Sequence, residues 1–451
     1  MIALRLERPM ASPVAPEWSG AVWIGAIDVA ALAAAEGDAI ALADSEGYAL
    51  ARLLVRDGRS VLGFVELPVV DLPEIGGSIA VDDLVARVRA LATPVVQPEP
   101  IHLPSVTVVV CTRDRAEQLR SALTSVLAID YPAFDVVVVD NAGATDATRE
   151  LIRTEFTDPR VRVVSEPVPG LSRARNTGLL QATGEIVAYT DDDVVVDSQW
   201  LRALVAGFAR SNDVACVTGL VPSGELRTPV QRYFDDRVSW SANLVAREFR
   251  LAEPPADLPT FPFSVGEYGT GANFALRRTD LLALGGFDTA FGVGTRTGGG
   301  EDLDIFTRVL FAGSALVVEP SALVWHRHRS DLGALRAQAV GYGTGLGAWL
   351  MKVALTPAMM RVAIRRTPSA VRRLVDKRGG TLESGTAAAA TGPELQKAPE
   401  VDGVDWAKAV SKVGWVELLS VAKGPVRYLR QRWDGTGLID PLVRRVALAR
   451  R

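Results

Sequence analysis

Residues 186–193 read Ile-Val-Ala-Tyr-Thr-Asp-Asp-Asp, an apolar run that stops in three carboxylates, Asp191, Asp192 and Asp193. A strand buried in a parallel sheet is apolar along its whole length, so these acids begin where a strand leaves its sheet. Ligands of open α/β sheets bind at such strand ends. Three adjacent anions repel one another and need an offsetting charge, which a hard divalent cation shared with a substrate diphosphate supplies. The alternative is a polar turn before the next helix.

Upstream, the same pattern occurs three more times. Residues 106–111 run into Thr112-Arg113-Asp114-Arg115, and residues 136–139 into Asp140-Asn141. Residues 161–164 precede Gly170-Leu-Ser-Arg-Ala-Arg175-Asn176, whose arginines suit diphosphate contacts at a helix start. Helical spacing fills the intervals 115–128, 145–156, 173–183 and 198–211, and Gly184 closes the third. Strands and helices in this alternation predict an α/β fold with a doubly wound, mainly parallel sheet. A single polar strand end reads as a surface loop, whereas four in succession read as a site. No Gly-x-Gly-x-x-Gly follows the first strand and no Gly-x-x-x-x-Gly-Lys-Ser/Thr occurs, which excludes the dinucleotide and P-loop readings. A nucleotidyltransferase would carry a Gly-rich loop after that strand, and this chain has none.

The ordered words Val-Val-Val-Cys-Thr-Arg-Asp-Arg, Val-Val-Val-Asp-Asn, Gly-Leu-Ser-Arg-Ala-Arg-Asn-Thr-Gly and Ala-Tyr-Thr-Asp-Asp-Asp resemble those of the family 2 glycosyltransferases. The match continues through Gly269–Arg278, Gly285-Gly-Phe-Asp288, Gly300-Glu301-Asp302-Leu-Asp304 and Trp325-His326, covering about residues 105–345. The resemblance implies a GT-A type fold and an inverting, metal-dependent transfer from a nucleotide-diphosphate sugar. It places Thr112, Arg113, Asp114 and Asp140 at the nucleobase, Arg175 at the diphosphate, and Asp191 and Asp192 beside the bound nucleotide sugar. It assigns Mn²⁺ or Mg²⁺ to Asp193, Asp191 and His326, the alternative for His326 being a structural histidine beside Trp325. It makes Asp302 the base, with Glu301 the other candidate, and sets Gly271, Asn273 and Trp325 on the acceptor side. Glu301 and Asp304 also fit a plain helix start, where acids are favoured. Gly298-Gly299-Gly300 before the acidic pair reads as a mobile hinge for a closing loop. Processive relatives carry Gln-x-x-Arg-Trp, and Gln431-Arg432-Trp433 has the wrong spacing, so a single transfer is expected. The rival reading is a non-catalytic sugar-nucleotide or glycan-binding protein on the same fold.

The rest of the 451 residues divides around this region. Residues 1–92 alternate short apolar runs with turns, including an Asp57-Gly58 hairpin signal, and predict a small β-rich domain. Residues 93–104, with four prolines, read as a linker. The glycosyltransferase region spans 105–345, as a nucleotide-sugar half (105–220) and an acceptor half (221–345). Residues 346–378 predict basic helices, 379–404 a disordered linker, and 405–451 basic amphipathic helices. Hydrophobic residues at 48% and charged residues at 23% describe a soluble globular chain. Two cysteines, Cys111 and Cys216, exclude a disulfide framework and suggest a reducing compartment. Neither a signal peptide nor an apolar run of eighteen is expected, so a cytoplasmic location follows.

Charge is uneven along the chain. Residues 1–351 hold 30 Lys+Arg against 44 Asp+Glu, and residues 352–451 hold 19 against 9. A basic tail on an acidic body fits an anionic membrane surface, on the inner face of the plasma membrane. The alternatives are a nucleic acid, which is not expected, and a merely solvated tail. The acceptor is a glycan, a lipid or a small molecule, and the sequence does not choose among them.

Overall fold

A computed structural model of the chain describes residues 4–10, 12, 14–73, 75–91, 102–238, 241, 243–376 and 406–434. Most of the expected linker at 93–104, the expected disordered stretch at 379–404 and the tail beyond Asp434 lie outside the described residues.

A nine-stranded sheet organises the molecule. Strands Val161–Glu166, Phe134–Asn141, Val106–Thr112 and Ile186–Thr190 lie side by side and parallel. The interiors of the last three are Val-rich and buried, as a sheet covered on both faces requires, while Val161–Glu166 at the edge is only partly buried. Helices Ala116–Leu127, Ala147–Glu155, Leu171–Gln181 and Trp200–Phe208 connect and cover them. Beyond Ile186–Thr190 the sheet turns mixed. Asn273–Arg277 runs antiparallel between Ile186–Thr190 and Val214–Leu220, and Ala315–His326 then lies parallel to Val214–Leu220. The two expected halves at 105–220 and 221–345 therefore interleave in one sheet. Short strands Val194–Val196 and Arg247–Phe249 both pair with Ala315–His326.

The N-terminal residues form two small sheets on a core of their own. The hairpin at Asp57-Gly58 joins Leu50–Asp57 to Ser60–Pro68. This unit packs Met10, Ile24 and Leu54 against Leu323 and Trp325 of the long strand Ala315–His326. Arg52 pairs with Asp235 at 2.6 Å, and Arg56 pairs with Asp197. The N-terminal unit thus backs the strand that carries His326.

At the C-terminal side one helix runs from Leu332 to Leu355 and a second from Pro357 to Asp376. Sequence spacing predicts shorter helices at 345–353, 358–366 and 370–375. The difference at the start has a physical cause, because Gly341, Gly343, Gly345 and Gly347 lower intrinsic helix propensity. Packing requires those glycines. A Cβ on Gly343 or Gly347 would run into the Glu417 or Val421 carbonyl of helix Trp406–Val421, and one on Gly345 would meet Gly299 at 2.6 Å. Helix Gly424–Asp434 continues the same packing, with Gly424 set against Gly347.

Candidate active site and metal centre

Strand Ile186–Thr190 delivers the aspartate triplet at the carboxyl edge of the sheet, and Ala315–His326 delivers its last residue to the same place. Ligand atoms of Asp191, Asp193 and His326 all lie within 4.8 Å of one another. The His326 Nε2 is 3.2 Å from an Asp193 oxygen. Two carboxylates and an imidazole on adjacent strand ends form a donor set that fits a divalent cation.

Asp193 is the most heavily compensated acid. Arg115 Nη2 donates to it at 2.9 Å and Arg329 Nη2 lies 3.5 Å away. Burial works against its charge, yet His326 and these guanidiniums hold its carboxyl well below the usual range. Burial by itself would lower the His326 pKa, and Asp193 more than offsets it, so the imidazole is raised. Asp191 is held up by burial, with Arg175 at 3.6 Å opposing.

Asp192 faces inward. It accepts from Thr112 Oγ1 at 2.7 Å and from Arg115 Nη1 at 2.5 Å, and burial with the neighbouring Asp193 pushes its pKa up to about 7. Asp192 and Thr112 bond to each other, tying the first strand end to the fourth. Asp140 lines a cavity of about 390 Å³ with Thr145, Arg149, Ser165 and Pro167, and its Oδ1 is buried without a partner among the described residues. Asp114 closes the same edge by accepting from Ala144 N at 2.7 Å, while Arg113 stays half-exposed beside it at 3.9 Å.

Arg175, expected at the diphosphate, lies in the interior. At 2% exposure its guanidinium donates to the Gly271 carbonyl at 2.8 Å and meets Glu301 at 3.3 Å, beneath the rings of Phe274 and Phe287. It links the two acidic clusters internally. Glu301 opens helix Glu301–Phe311. Burial and the adjacent Asp302 push its carboxyl up to about 7, and its second oxygen is buried without a partner among the described residues. Asp302 is partly exposed, and accepts from Gly271 N at 3.1 Å and from Leu303 N at 2.8 Å.

Two expected acceptor-side residues turn into the core. Asn273 is fully buried, accepting from Trp200 Nε1 at 2.8 Å and donating to the carbonyls of Ala322 and Leu220 at 2.7 and 3.0 Å. Trp325 packs under the N-terminal unit, because alternate residues of a strand point to opposite faces. Gly271 remains at the site, beside Asp302. The Gly298–Gly300 segment is packed where the sequence suggested a mobile hinge. Gly298 and Gly300 take φ of +72° and +89°, and the segment lies against Gly341 and Gly345 with Thr344 Oγ1 donating to the Thr297 carbonyl at 2.6 Å.

Sequence reasoning passed over Arg115, Arg329 and His328. The His326 and His328 Nδ1 atoms are 3.0 Å apart, and the His328 Nε2 is buried without a partner among the described residues. Burial and the neighbouring His326 hold His328 well below the ordinary histidine value, so it is neutral. With the His326 Nε2 facing the acids, its Nδ1–H donates and His328 accepts. Such a bond fixes the tautomer of a ligating imidazole. The signal was present as His-x-His, since i and i+2 share a face of extended chain.

Residues 107–278 match the family model described as Glycosyl transferase family 2. The pre-mycofactocin glycosyltransferase of Mycobacterium tuberculosis is 32% identical over 262 residues, covering 57% of this chain and 50% of that protein. The succinoglycan biosynthesis protein ExoM of Rhizobium meliloti is 31% identical over 222 residues, covering 48% and 64%. The chain spans roughly half to two thirds of the length of these curated relatives. Among solved structures, the mannosyltransferase PcManGT from Pyrobaculum calidifontis, in complex with GDP-Man and Mn²⁺, aligns at a TM-score of 0.46 with 21% identity, over 76% of this chain and 90% of that one.

Proposed function

We propose, starting from a chain whose residues 107–278 belong to glycosyl transferase family 2, that the protein is an inverting glycosyltransferase. It moves a single sugar from a nucleotide-diphosphate sugar to an acceptor hydroxyl. The observation that carries this reading is the pairing of two acidic clusters through Arg175. One is offset by cations and an imidazole, and the other presents a partly exposed carboxylate.

In this mechanism Asp140 accepts a hydrogen bond from an N–H of the nucleobase at the cavity edge, and Arg149 flanks it. Asp191, Asp193 and His326 hold the divalent cation, Mn²⁺ or Mg²⁺, which when bound supplies positive charge for the diphosphate. Asp302 accepts the proton of the acceptor hydroxyl as its oxygen attacks the anomeric carbon. The bond from that carbon to the diphosphate oxygen breaks with inversion, and the nucleoside diphosphate leaves with the electron pair. Glu301 is the poorer base on this geometry, because its carboxyl is buried against Arg175.

Two relatives are named for pre-mycofactocin and succinoglycan, and the acceptor here belongs to the same broad range of envelope glycans, glycolipids and secondary metabolites. The free cysteines Cys111 and Cys216 suit a cytoplasmic setting. The basic C-terminal region suits peripheral contact with an anionic leaflet. None of the described helices is long and apolar enough to cross a membrane.

A panel of nucleotide-diphosphate sugars, assayed for donor hydrolysis with Mn²⁺ and with chelator, tests the reading. Hydrolysis of one donor that chelator abolishes is expected. Donor binding without turnover, for every donor and with every acceptor class, would instead mean a binding protein.

A further inference from the structure

Helices Trp406–Val421 and Gly424–Asp434 are amphipathic in an inverted sense. Their inward face is made of small or polar residues. Ser420 and Gly424 sit in the seam against Gly343 and Gly347, with Val413 and Tyr428 the larger buried side chains. The outward face carries the bulk. Trp415, Leu418, Leu419, Val426, Leu429 and Trp433 recur at spacings of three and four along one side, with Trp415 62%, Leu419 63% and Trp433 90% exposed. Such a stripe on a soluble chain marks an interaction surface.

Charge tells what the stripe meets. Between residues 412 and 433 the only carboxylate is Glu417, and it is turned to Arg237 at 2.7 Å. Lys412, Lys423 and Arg430 are exposed among the apolar side chains. Tryptophans and leucines flanked by lysine and arginine are the pattern of a helix lying in the plane of a lipid–water interface. A protein partner of ordinary composition gains nothing from that uncompensated positive rim, whereas an anionic bilayer matches both the rim and the stripe.

We infer that this outward face docks on an anionic lipid surface, with the apolar stripe inserted and the cations at the headgroups. The inference rests on the peripheral-membrane reading given above and supplies its surface. That surface lies on helices Trp406–Val421 and Gly424–Asp434 and not on helix Pro357–Asp376. The same helix grips the loop before the acidic pair from its other side. Gln431 accepts from Arg296 N at 3.1 Å, Asp434 pairs with Arg296 at 2.7 Å, and Arg432 pairs with Asp288 at 2.5 Å. Docking through this face therefore holds the active-site edge close to the lipid surface.

The test is sedimentation of the full chain with vesicles of equal parts phosphatidylglycerol and phosphatidylcholine, and with pure phosphatidylcholine. Pelleting with the mixed vesicles that high salt reverses is expected, with little on the neutral ones. Trp415→Ser with Leu419→Ser should abolish it. Lys423→Glu should weaken partitioning about five-fold or more, given the contribution of one cation near such a surface. Thermal melts and donor hydrolysis of these variants should match the parent, which keeps a failure of docking distinct from a failure of the enzymatic reading. The inference is overturned if the parent does not pellet, or if the variants pellet as well as the parent. A concentration-dependent dimer that Trp415→Ser dissolves would also overturn it, by making a second copy the occupant.

Discussion

The two acidic clusters of the site are neighbours joined by one buried arginine, yet one carboxylate of each, Asp193 and Glu301, is held in the opposite charge state. At the strand end, Asp193 is met by Arg115, Arg329 and His326, so its negative charge is secured before any ligand arrives. At the helix start, Glu301 shares only Arg175, with one oxygen unpartnered and its carboxyl pushed up to about 7. Beside it, Asp302 is tethered by two backbone N–H groups and open on its other side. Burial is similar in both clusters, so the number of cations within reach makes the difference. A carboxylate whose charge is secured, as that of Asp193 is, suits a cation, and a tethered, open carboxylate suits a proton in transit.

Removing the proton acceptor should break this contrast most severely. Asp302→Asn is expected to lower the transfer rate by about 10²–10⁴-fold while leaving nucleotide binding intact. Glu301→Gln should cost far less, and a larger loss there would exchange the two roles. Asp193→Ala comes next. It strips the partner from two arginines and a histidine, so it should cost roughly 3–5 kcal/mol of stability as well as Mn²⁺ affinity, which denaturant unfolding would measure.

His328 sharpens the comparison at the metal side. His328→Leu should weaken Mn²⁺ binding about 10–100-fold, read by calorimetry, and His328→Asn, which keeps an acceptor near the Nδ1 position, should recover most of it. Equal affinity in both variants would reduce His328 to packing. The smallest effect concerns pH. Glu301 titrates near 4.5 when unfolded and near 7 when folded, so the folded state keeps the extra proton between those values. Its contribution is most favourable below the lower value and falls as pH rises through the window. Glu301→Gln should therefore remove part of the stability lost between pH 4.5 and 7, visible as a flatter dependence of Tm on pH.

The strand ends were legible because a buried strand must be apolar and its first polar residue marks the edge of the sheet. That logic placed Asp140, Asp191 and Asp193 at one edge, whereas Asp302, at a helix start, was reached only through the family resemblance. It could not say which polar atoms are consumed there. Thr112, Asp192 and Arg175 read as ligand-facing, but each is satisfied by a residue 77 to 126 positions away. Asn273 and Trp325 were misplaced because facing on a mixed sheet depends on which strand inserts where. The helix Leu332–Leu355 began earlier than its spacing suggested, since its glycines serve distant partners, Gly343 and Gly347 more than seventy residues on and Gly341 and Gly345 the segment Gly298–Gly300. The amphipathic helices expected at 405–451 did not reveal which side faces out, because the small face, and not the large one, is the packed face.

The most direct test of this division between the clusters is calorimetric titration of a nucleoside diphosphate into parent, Asp193→Asn and Asp302→Asn, each with and without Mn²⁺. The account predicts Mn²⁺-dependent binding in the parent and in Asp302→Asn, and its loss in Asp193→Asn. Binding that ignores Mn²⁺, or that survives in Asp193→Asn and fails in Asp302→Asn, would contradict it.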